Sequence, residues 1–196
     1  MVTVIHSEFW RKCIHLSCVL FPLLYLFWLD KEQIVLLCGL ITCGFIAGEV
    51  LRFRSEFGKK IFKIIFTPLL REGEKNKTIT GATWLFLAMT ATFIIFSKKI
   101  AIAAVLILII ADSLAAIIGK RYGHKRFFDK TLIGSLVFYG CTVVILLIVI
   151  PEITFWAPLI AFPVTFLEAF RLPVNDNLLI PLFTGLLLTI AINLPL

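Results

Sequence analysis

Long apolar runs, separated by compact clusters of charge, set the pattern of this chain. Seven runs lie at roughly 13–29, 34–51, 81–97, 100–118, 133–150, 154–170 and 177–194. Backbone groups in hydrocarbon must bond within their own segment, so runs of about 17–25 apolar residues read as helices that cross a bilayer. The pattern therefore predicts an all-α fold, a polytopic transmembrane bundle of about seven spans forming one integral membrane domain over residues 1–196. Several runs sit near the short limit, which predicts a tilted or incomplete span. Pro158 and Pro163 fall inside the sixth run and predict a kink or break there. Arg11-Lys12 before the first run has the look of a signal peptide. No small-residue cleavage site follows, so the run reads as a first, uncleaved span.

The connection between the second and third runs carries its own periodicity. Phe57, Ile61, Ile64 and Ile65 recur at helical spacing against Lys59, Lys60 and Lys63, and Ser55 is placed to cap the start. A helix of this kind, over about 55–70, lies in the interface, drawn to anionic headgroups, and would flank an entry route for a lipid.

Composition sharpens the class. The chain is 60% hydrophobic with mean hydropathy +1.03, against about 45–50% apolar content in soluble proteins. The five cysteines all lie in apolar runs without a C-x-x-C pair, and read as small buried hydrophobes. Charge then sets orientation. Of the 19 Lys and Arg residues, all but Lys31, Lys98 and Lys99 fall on one side of the predicted bundle. That bias places the N-terminus and its loops in the cytoplasm.

Ionisable groups in or at the edge of a membrane are costly, so each is a functional candidate. Glu8, Arg11, Lys12 and His15 are spaced to share one helical face at the start of the first span. Glu49 and Arg52 end the second span, Asp112 lies near the end of the fourth, Glu168 ends the sixth, and Asp176-Asn177 opens the seventh. All fall at one depth on the cytoplasmic side. Taken singly, His15 reads equally as a packing residue and Asp176 as a helix cap; together they point to one polar site. The loop at about 119–135 adds three glycines, five cations and the hydroxyls of Thr131 and Ser135. It lacks a Walker A pattern, but its glycines and cations suit phosphate. Carboxylates that bind Mg²⁺, with cations that neutralise phosphate, are the parts a nucleotide-using site needs.

Four ordered blocks resemble the CTP-dependent lipid kinase family, which includes dolichol kinase, phytol kinase and the CTP-using diacylglycerol kinase. They are Glu8-x-x-Arg11-Lys12-x-x-His15; Thr80-Gly81-Ala82; Ala111-Asp112-x-x-Ala115-x-x-x-Gly119-x-x-x-Gly123 continuing to Lys130-Thr131-x-x-Gly134-Ser135; and Glu168 with Asp176-Asn177-x-x-x-Pro181. The resemblance implies transfer of the γ-phosphoryl of CTP to the hydroxyl of a lipid alcohol: a polyprenol, phytol or diacylglycerol. It implies Asp112 on Mg²⁺ or another divalent cation, with Glu168 or Asp176 completing the coordination. Lys120, Lys125 and Lys130 would hold phosphates, with Arg11, Lys12, Thr131, Gly134, Ser135 and Asn177 assisting. His15 or Asp176 would take the hydroxyl proton. Dolichol and phytol kinases often carry Glu where this chain has Ile133, so another acid, Glu49 or Glu168, would stand in. The expected partners are the bilayer, CTP and the lipid alcohol, with no nucleic acid. Two alternatives keep the same residues: a CTP-using phosphatidate cytidylyltransferase, which would release pyrophosphate, and a small ion-coupled transporter, which would need midplane carboxylates and internal repeats.

Overall fold

Among the described residues, four helices open on a residue whose side chain caps them. Asp30 accepts a hydrogen bond from the Gln33 N–H at 2.9 Å while the Gln33 side chain accepts from the Asp30 N–H, a reciprocal capping box. Thr80 Oγ1 takes the Thr83 N–H at 3.5 Å, and Thr131 Oγ1 takes that of Gly134 at 3.1 Å. The last helix is capped by Asn175, whose Oδ1 accepts from the Asn177 N–H at 3.0 Å and whose carbonyl accepts from Leu179. Asp176, the cap offered by sequence, is thereby left for other contacts.

The computed structural model describes residues 11–56, 58, 60, 79–170 and 174–193. Residues 11–17 form α1, followed by α2 (Leu20–Phe27), α3 (Lys31–Arg54), α4 (Gly81–Ile95) and α5 (Lys98–Leu106). A π-helical turn (Ile107–Ala111) joins α5 to α6 (Asp112–Tyr122), and α7 (Leu132–Val149), α8 (Ala157–Ala169) and α9 (Asp176–Asn193) complete the bundle. Between α6 and α7 sits a small antiparallel hairpin, β1 (Arg126–Phe127) with β2 (Lys130–Thr131), in the register Phe127 opposite Lys130.

The protein is a membrane helical bundle. Four helices are long and apolar enough to cross a bilayer: Lys31–Arg54, Lys98–Tyr122, Leu132–Val149 and Asp176–Asn193. Gly81–Ile95 and Ala157–Ala169 are shorter apolar helices, and α1 with α2 makes a further rod. Among the described residues a helix thus stands at each of the seven predicted positions. Outward-facing Leu36, Leu40, Ile148 and Phe155 are well exposed, an apolar surface that water would not tolerate and lipid does. Inside the spans, Thr42, Thr92, Thr165 and Thr184 each donate to the carbonyl four residues back, so their hydroxyls cost little in hydrocarbon.

The rod Lys98–Tyr122 is the axis. From Ile100 to Ile109 every residue is buried, and the axis packs against α2, α4, α7 and α9. Its alanines, Ala101, Ala103, Ala104 and Ala111, let those neighbours approach closely. The π turn adds one residue to the helix just before Asp112, whose N–H donates to the Ile107 carbonyl five residues back.

Prolines behave differently along the chain. Pro22 cannot donate to the Cys18 carbonyl, and the first rod tightens there, with Phe21 N–H donating to Cys18 instead at 3.1 Å. In the sixth span Pro158 falls in the first turn of α8, where it is harmless, and α8 continues as one helix through Pro163 rather than breaking. Ser55 is extended and its hydroxyl accepts from the Gly58 N–H at 3.4 Å, starting a further helix. Most of the predicted interfacial helix, with Glu8 and Arg171, lies outside the described residues.

Candidate functional site

Two cations, the buried Lys12 and the half-buried Lys130, organise the polar end of the bundle. Lys12 of α1 forms an ion pair with Asp112 of the axis, both side chains nearly inaccessible. Helical spacing places His15 one turn further in, buried beside the same carboxylate, with the Leu108 carbonyl of the π turn within reach of its ring. Arg11 is close enough to act on both Lys12 and His15. The second cation, Lys130 of β2, lies 3.0 Å from Glu168 Oε1 at the end of α8 and 3.6 Å from Asp176 Oδ2 at the start of α9. Burial opposes the charge on Lys130, but Glu168, then Asp112 and Asp176, outweigh it and hold its pKa above the ordinary lysine value. Five segments far apart in sequence thus bring Lys12, His15, Asp112, Lys130, Glu168 and Asp176 into one electrostatic network.

The network is not closed on itself. His15 Nε2, Ser113 Oγ, Ser135 Oγ and Glu168 Oε2 are buried and have no hydrogen-bond partner among the described residues. Buried polar atoms are normally paired, so His15 Nε2 and Glu168 Oε2, unpaired within the ion network itself, mark a place for a polar ligand. No group of three or more His, Cys, Asp or Glu is arranged to hold a metal among the described residues. Mg²⁺ is usually held by only one or two carboxylates, with waters and substrate phosphates filling the other positions. The unpaired Glu168 Oε2 fits that description, and Asp112 fits it if Lys12 yields one oxygen.

The glycines of the 119–135 loop do something else. A Cβ on Gly119 would lie 2.6 Å from Thr131 Oγ1 and 3.1 Å from Gly134 Cα, and one on Gly134 would lie 2.8 Å from Thr131 Oγ1. The room they leave is filled by the crossing of α6 and α7, with the capping hydroxyl of Thr131 wedged between. Lys120 and Lys125 are exposed around this crossing. Ser135, one residue beyond Gly134, is buried with its hydroxyl unpaired.

Two candidates belong to a second network. Glu49 Oε1 accepts from the Thr80 N–H at 2.8 Å and the Thr83 hydroxyl at 3.2 Å, and Oε2 lies 2.7 Å from Arg52. The carboxylate thereby ties the end of α3 to the start of α4. Asn177 donates from its side-chain amide to the Gly81 carbonyl at 3.1 Å. The Thr80-Gly81-Ala82 motif is therefore the joint between α3, α4 and α9.

Sequence reasoning missed the π turn, the hairpin, and the aromatic tip of that hairpin, Phe128. Asn175 was legible in principle, since it is a good capping residue directly before the run. The hairpin loop Phe128-Asp129 lacks the Asn-Gly or Asp-Gly signal that marks such turns.

No family model matches the chain, and no solved structure matches it. An uncharacterized protein of Rickettsia prowazekii is 31% identical over 181 residues, covering 88% of both chains. The CTP-dependent diacylglycerol kinase 1 of Schizosaccharomyces pombe is 31% identical over 144 residues, which cover 68% of this chain and 62% of that kinase. This chain is a distant homologue of CTP-dependent diacylglycerol kinases. The Saccharomyces cerevisiae kinase of the same name is 30% identical over 91 residues, 45% of this chain and 31% of its own length. The matches to these kinases thus span less than two thirds of their length. No dolichol kinase or phytol kinase is among these relatives.

Proposed function

We propose that the chain is a CTP-dependent lipid kinase that transfers the γ-phosphoryl group of CTP to the hydroxyl of a diacylglycerol. The convergence of Lys12, Asp112, Lys130, Glu168 and Asp176, with unpaired buried acceptors beside them, carries the reading. The named activity of the homologues supports the donor and the acceptor class. Polyprenols and phytol remain acceptors to be compared.

In this reading a lipid oxygen bonds to the γ-phosphorus while the bond from that phosphorus to the β–γ bridging oxygen breaks, and CDP leaves. Such transfer rests mainly on positioning and charge stabilisation, because the transition state is loose. Lys130, Arg11 and Lys12 neutralise the phosphates, and the exposed Lys120 and Lys125 draw CTP in. Thr131 holds the start of α7 so that Ser135 can donate to a phosphate oxygen. His15 Nε2 is the preferred acceptor of the hydroxyl proton, since Asp176 is engaged by Lys130. Asp112 and Glu168 would hold Mg²⁺, which would supply charge neutralisation to the transferring phosphoryl group. The charge bias supports a cytoplasmic site, where nucleotide is at hand.

The test is purified protein in mixed micelles with γ-labelled CTP or ATP and diacylglycerol, polyprenol or phytol as acceptor, with and without Mg²⁺. Label should pass to diacylglycerol from CTP, only with the metal present. Transfer to none of the three alcohols would refute the proposal.

A further inference from the structure

Phe128 is the one non-glycine residue with positive φ among the described residues, at 53°. It takes the first position of the two-residue loop between Phe127 and Lys130, where Gly, Asn or Asp is usual and a bulky aromatic is an outlier. Such strain persists where the surroundings enforce it, often at ligand-holding sites. Here the ring lies 4.2 Å from the Phe170 ring and 5.5 Å from that of Phe166, while half of the residue stays exposed. Phe166 and Phe170 rings are 4.8 Å apart, and Phe162 stacks on Phe166 at 6.4 Å. Phe162 and Phe166 lie one turn apart on the outer face of α8, and Phe170, extended just past the helix end, continues the line, so the rings form one ridge. The Asp129 N–H donates to the Ala169 carbonyl at 3.1 Å and fastens the hairpin tip to the end of that helix.

The other face of the same helix end carries Glu168, buried against Lys130, two residues after Phe128 in the hairpin. Ridge and ion network therefore end at one level, on opposite faces of α8. We propose that the ridge Phe162–Phe166–Phe170, closed by Phe128, binds an acyl chain of the acceptor lipid and holds its hydroxyl end beside Lys130, Glu168 and Asp176. The inference rests on the kinase reading and deepens it by locating the acceptor. A diacylglycerol, with a small uncharged head on long chains, matches this register: its chains cover rings and its hydroxyl reaches the charges without a phosphate of its own to repel acids. Ordinary lipid contact requires no strained aromatic at the tip of a polar hairpin.

Binding is read without turnover. Phe128→Trp is placed in phosphatidylcholine vesicles doped with brominated-chain diacylglycerol, or with an equal mole fraction of brominated-chain phosphatidylcholine, and its emission is compared with wild type. Quenching specific to the introduced indole should saturate at low diacylglycerol content and exceed that from phosphatidylcholine several-fold; equal quenching by the two lipids overturns the inference. In a second arm, Phe128→Gly suits the turn better than Phe and should fold, while raising the KM for diacylglycerol about five- to tenfold and leaving that for CTP in place. An unchanged lipid KM, or equal rises in both, also overturns it. Absence of any phosphoryl transfer by wild type would instead sink the kinase reading, and the quenching arm would still report on the site.

Discussion

A charge in a membrane protein has to be accounted for, and the Lys12–Asp112 pair shows how. Neither partner can be removed alone without stranding the other, which costs about 3–5 kcal/mol at a buried pair. Asp112→Asn should therefore both lower thermal stability in detergent and reduce CDP formation about 100-fold or more. Adding Lys12→Met should restore much of the stability but none of the activity; recovered activity in the double variant would make the pair purely structural. These residues were legible in the sequence because ionisable groups at the membrane edge are expensive and rarely idle. Glu49 and Asn177 were equally visible as polar groups, but not their tasks. Glu49 has Arg52 one turn away on its own helix, a structural partner apparent from spacing. Asn177 reaches Gly81 across a sequence gap of 96 residues, which no local pattern reveals.

Between elements, the close crossing of α6 and α7 is fixed by what glycine lacks. Gly119→Ala should destabilise the bundle by about 1–3 kcal/mol, because its Cβ meets a capping hydroxyl and a backbone atom. Thr131→Ala should cost about 1 kcal/mol by removing the cap. The two changes together should cost less than their sum, since the second removes the atom that the first collides with; strict additivity in thermal unfolding would contradict this packing. The helices themselves were readable from hydrophobic runs, but not the π turn. Ile107–Ala111 contains no glycine or proline to signal it, and the choice between bonding four or five residues back is made by neighbours. The consequence is local and chemical, as the irregular turn brings the Leu108 carbonyl to His15 and immediately precedes Asp112.

For the whole molecule, the places of the helices followed from the pattern of apolar runs, and the gathering of polar groups at one end followed from their shared depth. The opposite end is held differently, by exposed contacts such as the Lys99–Glu152 ion pair. If the charge bias sets orientation, single cysteines at Lys99 or Glu152 should react with an impermeant maleimide added outside intact cells. A cysteine at Lys125 should react only after permeabilisation, and the reverse pattern would invert the proposed topology. The central claim concerns chemistry at the converged charges, and a dual-label experiment reaches it directly. Purified protein is given diacylglycerol or phosphatidate with CTP labelled at either the α- or the γ-phosphate. The account predicts γ-label in the lipid product of diacylglycerol, CDP in solution, and loss of both with Asp112→Asn. Lipid carrying α-label, with pyrophosphate released from CTP, would contradict it and identify a cytidylyltransferase instead.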